Sequence, residues 1–214
     1  MKLASFFVTF HLSRRDSFGK NSGLSAMISH EEKRGLLAIA REAIACALKE
    51  MVYEPPVPTT EGLAQPSGAF VTIKIDHELR GCIGYIESEK PLAEVVAEVA
   101  VKAALDDPRF PPMTMPEVDR ATLEVSILSP LRRIYSIEEI EIGVHGLVVA
   151  LGVRRGLLLP QVATEHHLNR EAFLEAAMRK AGLPPALWCV RETEPHLEMY
   201  VFEAEVIQEA DVLQ

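Results

Sequence analysis

Apolar residues at 36, 37, 40, 44, 47 and 48 recur with a helical period. Ser29 precedes that stripe and Glu32 follows three residues later, a pair that caps the first turn reciprocally. The pattern predicts a helix over 29–49. The period is lost in VYEPPVPTTEGLAQPSG (52–68), whose four prolines predict a loop. AFVTIKID (69–76) then alternates, with Val71, Ile73 and Ile75 on one face and Phe70, Thr72 and Lys74 on the other. Asp76-His77-Glu78 turns the chain into a second strand at about 79–86.

Pro91 suits a first helical position and LAEVVAEVAVKAAL (92–105) is strongly helix-forming. DDPRFPPMTMPEV (106–118) is a Pro-rich connection, and ATLEVSILS (121–129) alternates as a strand. SIEEI reads as a short helix or turn. GLVVAL and GLLLP (146–151 and 156–160) read as a hairpin turning through Gly152 and Arg154-Arg155. Helices are expected at 161–168 and 170–181, the second opened by Asn169 and closed by Gly182. Strands at 187–191 and 198–207 complete the chain. Short hairpins with helices in blocks predict an α+β fold, a mainly antiparallel sheet packed with helices.

Composition narrows the function classes. The net charge of −9 argues against a nucleic-acid binder acting through a basic surface, because phosphate neutralisation dominates that affinity. No apolar run reaches the roughly 18 residues that span a bilayer, so no membrane association is expected. Cys46, Cys82 and Cys189 are odd in number and widely spaced, without a CxxC pair. That argues against a disulfide framework and a structural zinc site, and fits a reducing, cytoplasmic setting. No metal or cofactor is expected. Residues 1–26 carry four basic residues against one acid, and the rest of the chain accounts for −12. They read as a disordered or misassigned N-terminal extension, with the domain spanning 27–214.

The densest candidate chemistry lies in LRGCIG, residues 79–84. Strand alternation puts Arg80 and Cys82 on one face, where a guanidinium favours thiolate over thiol. Gly81 and Gly84 permit close backbone approach or a bulge. Cys82 thus has two readings, a reactive nucleophile or a buried small residue. A nucleophile needs a base, and His145 or His77 is the candidate. Asp107-Pro108-Arg109-Phe110-Pro111 is a stiffened loop that either presents Arg109 and Phe110 or forms a buried Asp–Arg tie. Glu124 shares a strand face with Thr122 and Ser126. Phosphate-binding loops, the dinucleotide fingerprint and serine-hydrolase signatures are absent.

GAFVTIKIDHELRGCIGYIE, DDPRFPPM, LEVSILSPLRRI, GVHGLVVALGVRRGLLLPQVATEH and FLEAAMRKAGLPPALW…YVFEAEVI, in that order, resemble the AMMECR-domain family. LRGCIG is the hallmark of that family, and the similarity runs from about 34 to 208. The resemblance implies an intracellular α+β domain with two unequal lobes and a cleft beside the hallmark strand. It also implies an association with a Memo-type protein and a radical-SAM protein, as in the AmmeMemoRadiSam system, and specifies no biochemical activity. The positions it marks are Arg80, Gly81, Cys82, Gly84, Asp107, Arg109, Phe110, Glu124 and His145. Two functions follow: a binding or regulatory module whose cleft takes a small molecule or such a partner, and a thiol-dependent enzyme using Cys82, Arg80 and His145.

Overall fold

The computed structural model describes residues 28–193 and 196–212, together with the two-residue strand β1 (Phe7–Val8). The rest of the expected N-terminal extension lies outside the described residues. The chain divides into two compact units, a larger one formed by 1–128 with 205–214 and a smaller one formed by 129–204.

In the larger unit, α1 (His30–Leu48) is opened by the expected capping box, Ser29 and Glu32 bonding one another's backbone. A short α2 (Glu61–Ala64) interrupts the Pro-rich loop. β2 (Ala69–Ile75) and β3 (Glu78–Tyr85) form a hairpin, and β4 (Ala121–Leu128) pairs antiparallel with the other edge of β2. The hairpin turn holds Asp76 and His77 at φ of 52° and 69°, the left-handed geometry that a two-residue hairpin demands. α3 (Leu92–Leu105) matches its predicted span, with Pro91 one position earlier than expected, at the N-cap. α4 (Met115–Val118) lies in the connection to β4, and α7 (Glu209–Val212) closes the chain.

Alternation explains the packing. Val71, Ile73, Leu123, Val125 and Ile127 on one sheet face join Val95, Val96, Val99 and Ala100 of α3 and Leu36, Ala40 and Ile44 of α1 in one core. Arg41 and Glu209 tie the ends of the unit together. Arg41 donates to both Glu209 carboxylate oxygens and to the carbonyls of Val118 and Ala121, while Glu209 accepts the Leu123 N–H.

The smaller unit is built on antiparallel strands. β5 (Arg132–Ile134) pairs with β8 (Glu198–Gln208), β8 with β6 (His145–Leu151), and β6 with β7 (Arg154–Leu158). A 3-10 turn (Ile137–Glu139) forms at SIEEI, and α5 (Pro160–Glu165) and α6 (Arg170–Lys180) follow the hairpin. α6 is capped by Asn169 and followed by Gly182 at φ 68°, as expected. A Cβ on Gly156 would stand 2.4 Å from the Ala177 carbonyl oxygen, so β7 and α6 meet backbone to backbone. One expectation fails. Residues 187–191 are not a strand but part of a 3-10 helix, Pro185–Thr193, because the prolines at 184 and 185 favour a tight helical turn over a ladder. No described helix is long and apolar enough to cross a membrane.

Candidate functional site

The face of the β2–β3–β4 sheet opposite the core carries the hallmark chemistry. The register aligns Cys82 with Thr72 and Thr72 with Glu124, so the three side chains form one row across the strands. Lys74 belongs to the same face and pairs with Glu124. The row changes character along its length. Lys74 and Glu124 keep 34% and 18% of their side-chain surface, whereas Cys82 keeps none. Its Sγ lies 3.2 Å from the Thr72 hydroxyl, which donates to it.

The simple alternation that would set Arg80 beside Cys82 is broken by a bulge. Ile73 opposes Gly81, Lys74 opposes Leu79, and Arg80 is the extra residue. Arg80 is re-aimed toward α4, where its Nε donates to Glu117 at 2.8 Å. That Arg80 hydrogen bond, reinforced by Thr114, holds the Glu117 carboxyl down at about 2. The charge expected to activate the thiol is therefore engaged elsewhere.

The Cys82 backbone is what the DPRF loop recognises. Asp107 is 3% exposed and accepts the Cys82 N–H at 2.9 Å. Arg109 Nη2 donates to the Cys82 carbonyl at 3.4 Å and to Asp107 at 2.6 Å, while Arg109 Nε and its backbone N–H reach the other Asp107 oxygen. Burial alone would raise the Asp107 carboxyl; the hydrogen bonds from Arg109 and Cys82 outweigh it, and the net shift is downward. The buried Asp–Arg tie forms, and Phe110 of the same loop stays half-exposed beside it. The tie serves the outer edge of β3 as a neighbouring strand would, with one acceptor and one donor. One residue further on, β1 runs parallel to the same strand, with Phe7 and Val8 opposite Ile83 and Gly84.

The two glycines admit parts of the chain itself. A Cβ on Gly81 would stand 2.1 Å from the Ala103 carbonyl oxygen of α3, and one on Gly84 would stand 2.3 Å from the Phe70 ring. Phe110 lies half-buried beneath two cations, with the guanidinium carbons of Arg80 and Arg109 at 5.8 and 5.4 Å from its ring centre. His145 belongs to the smaller unit, at the start of β6, where its Nδ1 accepts the Glu141 N–H at 3.0 Å. His77 is exposed at the hairpin tip. Among the described residues no group of three or more His, Cys, Asp or Glu side chains is placed to hold a metal ion.

Sequence reasoning missed Glu117, and it placed Thr72 on the right face without singling it out for the site. Thr72 was legible as a face-mate of Lys74; Glu117 carried no signal beyond its place in a short capped turn.

A family model described as AMMECR1 matches residues 37–207. The chain is 45% identical over 190 residues to a protein of Methanopyrus kandleri, covering 85% of this chain and 90% of that one. It is 42% identical over 199 residues to a protein of Thermofilum pendens, covering 85% and 92%. The crystal structure of an uncharacterized protein from Pyrococcus horikoshii superposes with a TM-score of 0.76 at 38% identity, covering 84% of this chain and 92% of that one.

Proposed function

Since this chain belongs to the AMMECR1 family, we propose that it acts as a binding or regulatory module and not as a thiol-dependent enzyme. The observation that carries this reading is the burial of Cys82. A nucleophilic thiol must reach solvent or substrate, and this one has no accessible surface. Its N–H and carbonyl are held by Asp107 and Arg109 as well.

The contact surface in this reading is the rim of the hallmark strand: Phe110 with Arg80 and Arg109, and the half-open Lys74–Glu124 pair. An aromatic ring flanked by guanidiniums is the composition of a protein-binding hot spot, and a loop stiffened by Pro108 and Pro111 loses little entropy on docking. A Memo-type protein, with its radical-SAM associate, is the partner this reading assigns. The Lys74–Glu124 pair favours a second occupant, a small polar ligand that divides the two charges.

Two measurements test the reading. Iodoacetamide applied to native protein should modify exposed Cys189 and leave Cys82 untouched until denaturant is added. Labelling of native Cys82 at the rate of a free thiol would overturn this reading in favour of the thiol-dependent enzyme. Titration calorimetry with a Memo-type protein should show saturable binding, weakened at least tenfold by Phe110→Ala, about 1.4 kcal/mol or more. Unchanged affinity in that variant removes the DPRF loop from the interface.

A further inference from the structure

The outer edge of β3 is closed in two different ways. Backbone groups two residues apart on a strand face the same edge. The Cys82 N–H and carbonyl turn away from β2 and meet Asp107 and Arg109. By that period the N–H and carbonyl of Gly84 face the outer edge too, while those of Ile83 face β2, opposite Val71. Gly84 is buried, so both of its groups need partners. What stands along it is a strand: β1 runs parallel to β3, with Phe7 and Val8 opposite Ile83 and Gly84.

β1 is two residues long, inside a stretch, SFFVTF, whose aromatic and β-branched composition suits a sheet. Its ladder begins at Ile83 because Asp107 and Arg109 already hold the Cys82 groups. A strand near a chain end, tied on by so short a ladder, opens locally without unfolding the rest. A sheet edge from which such a strand lifts is a template for strand addition by another chain.

We propose that the Ile83–Gly84 edge of β3 is a strand-addition site, that β1 is its exchangeable cover, and that an extended segment of a protein partner takes the place of β1, parallel to β3. The site adjoins the rim of Arg109 and Phe110, since Arg109 bonds the carbonyl two residues before Gly84. The displacement of β1 by a partner rests on the binding-module reading given above; the strand exchange itself does not.

Residue-resolved hydrogen exchange on the full chain tests the exchange. The Gly84 amide should exchange at least about tenfold faster than the Ile83 amide, which β2 holds. Phe7→Pro combined with Val8→Pro removes both β1 amides and obstructs the ladder. That double variant should speed Gly84 exchange by at least about tenfold more and leave Ile83 and Cys82 unchanged. A synthetic peptide of residues 3–12, added in excess to the double variant, should restore Gly84 protection. Equal protection of Gly84 and Ile83 in the parent overturns exchangeability. Unchanged Gly84 exchange in the double variant overturns β1 as the cover, and no recovery with peptide overturns strand addition. If the double variant loosens all three amides together, the parent comparison decides alone. The Memo-type titration described above, repeated on the double variant, separates the two claims. Severalfold tighter binding than to the parent supports displacement of β1, and equal affinity overturns it. Binding to neither form defeats the binding-module reading and leaves the strand exchange to be decided by the amide rates.

Discussion

Asp107→Ala is expected to destabilise the protein by about 3–5 kcal/mol, the loss seen when one partner of a buried ion pair is removed. The carboxylate is 3% exposed and takes four N–H groups, one from Cys82 and three from Arg109. Without it the Arg109 guanidinium, whose side chain is 19% exposed, has lost its counterion, and the Cys82 amide has lost its acceptor. Asp107→Asn keeps the shape but turns an NH2 toward donors, so it should recover only part of the loss. Urea midpoints at constant m-value measure both. A change below about 1 kcal/mol would mean that water replaces the carboxylate freely, contradicting its burial.

The same residue sets a pH dependence. Its folded-state carboxyl lies below the ordinary value of 3.8, so the unfolded chain takes up the proton first. Its contribution is therefore complete above the ordinary carboxylate range and is lost as pH falls through the folded value. Asp107→Ala should flatten the acid limb of the stability curve below about pH 4.

Gly81→Ala is the second large effect, expected at about 3 kcal/mol or more. The added carbon meets the Ala103 backbone oxygen at 2.1 Å, and that oxygen cannot rotate away as a side chain would. Relief requires β3 and α3 to separate, yet Val95, Val96, Val99 and Ala100 of that helix are fully buried in a close-packed core. Gly35→Ala on α1 is the control. Its Cβ meets nothing within 4 Å, and helix propensity alone should stabilise that variant by up to about 1 kcal/mol. Equal thermal shifts for the two substitutions would refute the close-approach account.

Long periodic segments were legible. α3 was read with its observed ends, and the β2–β3 hairpin and α6 to within a residue or two, because a buried face imposes its period on the sequence. Elements of three or four residues, α2, α4, β5 and α7, are too short to show any period. The 187–191 error has the same root: a short apolar run fits strand or helix equally well, and the preceding prolines decided it. At the candidate site, alternation placed Thr72, Lys74 and Glu124 correctly but set Arg80 beside Cys82. One extra residue in a bulge was enough to redirect it to Glu117. The bond between Asp107 and the Cys82 amide joins residues 25 apart in the chain, and no local pattern encodes it.

The loop that closes over Cys82 has a consequence for colloidal behaviour. A strand edge with free amides and carbonyls is a template on which a second molecule can crystallise its own strand, and proteins that leave such edges bare tend to form insoluble assemblies. Here a carboxylate and a guanidinium from one stiff loop occupy the Cys82 groups on that edge. The Asp107–Arg109 pair therefore closes the Cys82 stretch of β3 to a second molecule's strand, beside the Ile83–Gly84 stretch that β1 pairs.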